Sequence, residues 1–136
     1  MKTEIIIITQ KHVGTALVKA AKNIFGKLPL PVIAVSVNYR TKPEALLHKL
    51  CRVIQKTEEH TSLLILTDLY GSTPSNIATK LCDICQRPTR LVAGLNLPML
   101  IKVLNYANLP AQQLAEKAIA GGKQGVLDYQ FKHSAI

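Results

Sequence analysis

Thr67-Asp68-Leu69-Tyr70-Gly71-Ser72-Thr73-Pro74-Ser75-Asn76 decides how this chain is read, because an apolar run turns into a helix start within it. The preceding Ser62-Leu63-Leu64-Ile65-Leu66 has no polar alternation, as expected of a strand buried on both faces of a parallel sheet. After it, Thr73 can serve as N-cap and Pro74 suits the first helical position, where no amide hydrogen is needed. Ile77, Ala78, Leu81, Ile84 and Cys85 then recur at helical spacing. Gly71 permits a positive φ or a close backbone approach at the turn. A helix N-terminus flanked by hydroxyls and a glycine is a ready anion site. Asp68 would repel a phosphate there unless a proton, a cation or an imidazolium lay between them. The corner therefore hints at phosphate handled on an imidazole.

The 136 residues suffice for one domain with a sizeable core, expected over 1–136. Hydrophobic residues make up 48%, and no apolar stretch approaches membrane-spanning length, so no membrane insertion is expected. No signal peptide is read, and three cysteines without framework spacing suit a reducing compartment; the expected address is the cytoplasm. Seventeen Lys and Arg against eight Asp and Glu give a net charge of +9. The basic residues are spread along the chain and are not interleaved with aromatics, which disfavours nucleic acid as a partner.

Around the corner, strands and helices alternate. Glu4 to Thr9 is rich in Ile and reads as a first strand. Val13, Ala16, Leu17, Ala20, Ala21 and Ile24 define the expected buried face of a first helix ending near Gly26. Val32–Val37 reads as a second strand. Thr41 and Glu44 form a capping box on paper, opening a helix whose core face is Leu46, Leu47, Leu50, Cys51 and Ile54. Thr89 to Leu95 reads as a fourth strand, Asn96-Leu97-Pro98 opens a fourth helix, and a fifth runs from Pro110 with Leu114, Ala115, Ala118 and Ile119 to a stop at Gly121-Gly122. Gly125 to Tyr129 could add a short antiparallel strand exchanged in a homodimer, with a frayed end beyond. The expected fold is α/β: an open, mainly parallel four-stranded sheet with helices on both faces. Ligands of such sheets bind beyond the carboxyl ends of the strands, here Thr9-Gln10-Lys11-His12, Asn38-Tyr39, Asp68 to Thr73, and Asn96.

Two of these corners carry a resemblance. Asp68-Leu69-Tyr70-Gly71-Ser72-Thr73-Pro74-Ser75-Asn76 and Ala93-Gly94-Leu95-Asn96-Leu97-Pro98-Met99-Leu100 resemble segments of the mannose-type IIA component of the bacterial phosphoenolpyruvate-dependent sugar phosphotransferase system. That similarity holds in register from the first strand to about Val126. It implies a phosphoryl carrier that accepts phosphate on a histidine from the phosphocarrier HPr and passes it to a IIB partner, without a cofactor. By position it makes Asp68 the acid that orients the imidazole and Gly71, Ser72 and Thr73 the phosphate cradle, with Asn96 in support.

The chain departs from the family at the acceptor. Where the family has Thr-His after the first strand, this chain has Thr9-Gln10, and no gap is needed to reach Ala16 and Leu17. An amide is a poor nucleophile. Either His12, two residues on, is the acceptor, or the chain is a phosphorylation-incompetent regulatory protein that binds partners through the same edge. In the second case Gln10 would satisfy Asp68 with its amide hydrogens. His12 could also be only an exposed first-turn residue, and Asp68, Ser72 and Thr73 only helix-start punctuation. A hydrolase or nucleotide-binding enzyme would need a nucleophile and base, or a fuller phosphate loop; neither is evident. Cys82-Asp83-Ile84-Cys85 lies within a helix without a second pair and reads as packing. His48, His60 and His133 have no metal spacing, so no metal site is expected.

Overall fold

The computed structural model describes residues 3–57 and 61–130. His60 and residues 131–136, including His133 and the expected frayed end, lie outside them. The order of elements is β1 (Thr3–Gln10), α1 (Val13–Phe25), β2 (Val32–Val37), α2 (Pro43–Gln55), β3 (Ser62–Thr67), α3 (Thr73–Ile84), β4 (Thr89–Ala93), α4 (Leu97–Asn105) and α5 (Ala111–Gln124). All strand pairs are parallel, in the order β2-β1-β3-β4. The expected α/β architecture is the one observed.

β1 and β3 are central, and their apolar runs are explained by two-sided burial. Ile5, Ile7, Leu64 and Leu66 face a core shared with α1, α4 and α5. Ile6, Ile8, Leu63 and Ile65 face a second core with α2 and α3. From β1 the chain moves outward to β2; from β3 it moves the opposite way to β4. The crevice between the carboxyl ends of β1 and β3 is thus the topological switch point where such folds bind ligands. Gln10 and the residues after Thr67 sit there.

Several details differ from expectation. The buried side of α1 is Gly14, Leu17, Val18, Ala21 and Phe25, while Ile24 is 61% exposed and Val13 and Ala16 are also exposed. Gly14 sets this face, because a Cβ there would stand 2.7 Å from Ile7 Cγ2. The Thr41–Glu44 capping box does not form. Thr41 Oγ1 instead accepts from the Asn38 amide at 3.0 Å, and α2 starts after Lys42, which caps without a side-chain bond. Ser72, not Thr73, is the N-cap of α3. Residues 126–130 form no strand within the described chain.

The Gly121-Gly122 pair does not stop α5, which continues to Gln124. Both glycines lie against α4: a Cβ on Gly121 would stand 2.5 Å from Lys102 Cβ, and one on Gly122 2.9 Å from Met99 Cε. Small residues here serve close helix packing rather than termination. Gly121→Ala is therefore expected to lower stability by about 1–3 kcal/mol, the usual cost of overpacking, read as a reduced midpoint in urea with unchanged slope.

The three cysteines pack at the rim of the α2–α3 core. Burial, the neighbouring Asp83 carboxylate and Cys85 push the Cys82 thiol up to about 11 from an ordinary 9.0. Because the thiolate is the reactive form, that two-unit rise leaves roughly one hundredth of the usual thiolate fraction. Because a thiolate of higher pKa is also the stronger nucleophile, which returns part of that factor, iodoacetamide at mildly alkaline pH is expected to label Cys82 about tenfold more slowly than an unperturbed thiol, as followed by peptide mass spectrometry.

Candidate functional site

The site is built where β1 and β3 end. Thr9 is fully buried; its hydroxyl donates to the Gln10 carbonyl and accepts from the Gly14 amide, both at 2.8 Å. These bonds lock the turn from β1 into α1. At its neighbour, Asp68 Oδ2 accepts from the Gln10 backbone amide and Oδ1 from the Leu69 amide, each at 2.9 Å. The Asp68 carbonyl accepts from the Gly94 amide at 3.0 Å. One half-buried aspartate thereby ties together the ends of β1, β3 and β4.

The loop that follows is equally constrained. Gly71 takes φ 89°, and its amide donates to the buried Ser75 hydroxyl at 3.2 Å. Ser72 Oγ donates to the Leu69 carbonyl at 2.6 Å and accepts from the Ser75 amide at 3.4 Å. Pro74 offers no amide hydrogen. Of the cradle residues, Gly71 and Ser72 are thus committed to the loop itself, whereas the exposed Thr73 keeps its hydroxyl and amide unbonded among the described residues. Asn96 serves α4 and α5: Oδ1 caps the Met99 amide at 2.9 Å, and Nδ2 donates to the Gly122 carbonyl at 3.2 Å.

His12 occupies a different position from Gln10. It is the exposed N-cap residue of α1, with φ 73° in the left-handed region, where non-glycine residues are strained. The chain around it is tied to β2: the Lys11 amide donates to the Val37 carbonyl at 3.0 Å, and the His12 amide approaches Ser36 Oγ at 3.5 Å. β2 lies on the side of β1 away from β3. Among the described residues the imidazole makes no hydrogen bond with Asp68. The structure brings Gln10, Asp68 and the start of α3 together, and holds the His12 backbone toward β2. Gly14 and Ser75, which fasten the two turns from within, were not among the expected site residues; their one sequence signal was a small residue next to each corner.

A family model described as the PTS system fructose IIA component (EIIA-man) matches residues 4–119. The chain belongs to the mannose-type IIA family of the sugar phosphotransferase system. This IIA chain is 30% identical over 112 residues to the PTS system sorbose-specific EIIA component of Lacticaseibacillus casei, covering 82% of the chain and 79% of the relative. Its fold is similar to that of the mannose/sorbose specific IIA subunit from Enterococcus faecalis, with TM-score 0.86, 24% identity, and coverage of 99% and 100% of the two chains. It is also similar to the EIIA component from Streptococcus agalactiae, with TM-score 0.80, 23% identity, and coverage of 93% and 96%. In the IIA chain no described helix is long and apolar enough to cross a membrane, and no described group of three or more His, Cys, Asp or Glu could hold a metal ion.

Proposed function

We propose that this IIA chain, with residues 1–136 acting as a single domain, docks an HPr-like phosphocarrier and a IIB component through the carboxyl edge of its sheet while carrying no phosphoryl group itself. It would regulate a sugar phosphotransferase system rather than relay phosphate within it. One observation carries this reading: the residue whose main chain is held by Asp68 at the switch point is Gln10, whose amide side chain cannot form a phosphohistidine. Asp68, Gly71, Ser72 and Thr73 would then shape a docking surface, stiffened by the hydrogen bonds of Asp68, Gly71 and Ser72.

A second reading, relay through His12, draws support from the left-handed backbone of that residue, since strained residues cluster at functional sites. In it the phosphorus–nitrogen bond of the donor phosphohistidine breaks, the donor ring keeps the electron pair, and an unprotonated His12 nitrogen takes the phosphoryl group. Incubation with phosphoenolpyruvate, enzyme I and HPr separates the two. The silent reading expects no acid-labile label on the wild-type chain. Label that disappears in His12→Ala would overturn it in favour of relay.

A homodimer is part of the proposal. Val126, Leu127 and Tyr129 are 75%, 84% and 87% exposed, and the outer edge of β4 has no strand partner among the described residues. An apolar tail beside an open sheet edge invites strand addition between copies. Light scattering should report a dimer for the full chain and a monomer after truncation at Gly125. A monomeric full chain would remove this element.

A further inference from the structure

The loops at the carboxyl edge of the sheet hold three large side chains out in water: Tyr39, Leu69 and Tyr70 are 89%, 66% and 75% exposed. Tyr39 follows β2, and Leu69 and Tyr70 follow β3, strands on opposite sides of β1. The two loops thus flank Gln10 about 10 Å apart, two strand spacings. Both are stiff. Asn38 Oδ1 accepts from the Arg40 amide at 2.8 Å and the Asn38 carbonyl from the Thr41 amide at 3.0 Å, and the loop after β3 is held by the Gly71 and Ser72 bonds already described. Anchors on such loops lose little further freedom on docking, and tyrosine and arginine are enriched at interface hot spots. Charge says what covers them. Lys11, Arg40 and Lys42 are exposed and make no ion pair among the described residues. Arg40 Nε donates to the Tyr39 hydroxyl at 3.1 Å, with the guanidinium carbon 5.4 Å from the ring centroid. The carboxylates of these corners are engaged: Asp68 accepts two backbone amides, and Glu44 lies 3.7 Å from Lys80.

We infer that Tyr39, Leu69 and Tyr70, ringed by Lys11, Arg40 and Lys42, receive a protein face that presents carboxylates around an apolar pocket. Opposite charge steers the encounter and fixes its register, and the three side chains anchor it. This surface rests on the docking role proposed above and adds to it the chemistry of the partner.

Nuclear magnetic resonance titration of the full chain with three peptides built on a Phe-Leu centre tests it: Glu-Asp-Phe-Leu-Asp-Glu, Gln-Asn-Phe-Leu-Asn-Gln and Lys-Arg-Phe-Leu-Arg-Lys. At low salt the acidic peptide is expected to bind about tenfold more tightly than the neutral one, with the basic one weakest. Its largest perturbations should fall on the amides of residues 38–42 and 69–73. Arg40→Glu/Lys42→Glu should abolish the preference, whereas Lys102→Glu/Lys117→Glu, the same change of net charge on α4 and α5, should leave it. Tyr39→Ala/Tyr70→Ala should weaken the acidic and neutral peptides alike, about tenfold. Absence of binding, equal affinity for the acidic and neutral peptides, perturbations centred elsewhere, or a preference lost equally in both charge variants would each overturn the proposal. Acidic peptide bound at this edge by a chain that takes up neither HPr nor a IIB component would support the surface and refute those partners.

Discussion

Gln10→His is expected to convert a chain that takes no label from phosphorylated HPr into one that does, with incorporation at least ~100-fold above background. That factor is the scale of one well-placed transition-state group. The main-chain bond from residue 10 to Asp68 Oδ2 at 2.9 Å does not depend on the side chain, so the corner should persist in the variant. A new imidazole at residue 10 would project from the strand end beside the carboxylate. Asp68 has lone pairs left to accept one ring N–H, which directs the other nitrogen outward as nucleophile. The unbonded Thr73 amide and hydroxyl at the start of α3 would meet the incoming oxygens. The label should be acid-labile and should vanish in the double variant Gln10→His/Asp68→Ala. A wild-type chain that already labels fully, or a Gln10→His variant that stays unlabelled while still binding HPr, would refute this account of the site.

The second large effect is on stability and lies at the far end of the molecule. The Arg87 guanidinium donates to Thr57 Oγ1 at 2.6 Å, Thr61 Oγ1 at 2.7 Å, the Ile54 carbonyl at 2.6 Å and the Thr57 carbonyl at 3.0 Å. It therefore fastens the end of α2 and the start of β3 to the segment before β4. Arg87→Ala removes all four bonds and leaves part-buried acceptors without a donor, so a loss of about 2–4 kcal/mol is expected from charge-assisted bonds in this setting. Arg87→Lys keeps the charge but not the planar fork and should recover less than half of the loss. Urea unfolding of the three proteins checks the order, and an unchanged midpoint in Arg87→Ala would refute it.

What could be read from sequence follows the reach of each interaction. The β3–α3 corner was legible because its evidence is local: an apolar run too continuous for a half-exposed strand, then Gly71 and Pro74 within a few residues. The α/β order followed from four such alternations. The face of α1 keeps the expected Leu17 and Ala21 but not Val13 and Ile24, because counting apolar residues passes over Gly14, where smallness rather than hydropathy sets the packing surface. The same confusion made Gly121-Gly122 look like a terminator, since a glycine that ends a helix and one that lets two helices touch are identical until the neighbour is known. Ser72 and Thr73 are equally good caps, and only the loop geometry separates them. Arg87 was invisible for the opposite reason: its partners lie 26 to 33 residues away. At the candidate site, sequence placed Asp68 and Gln10 at adjoining strand ends, but not the turn that commits His12 to the β2 side.

Residue 10 is fastened to Asp68 by its backbone, not by its side chain. Natural selection can consequently exchange glutamine and histidine there without disturbing the scaffold, and in the genetic code the two differ by a single change at the third codon base. On the reading proposed here, a lineage could silence or restore phosphate uptake in one mutational step, leaving every docking contact for later use.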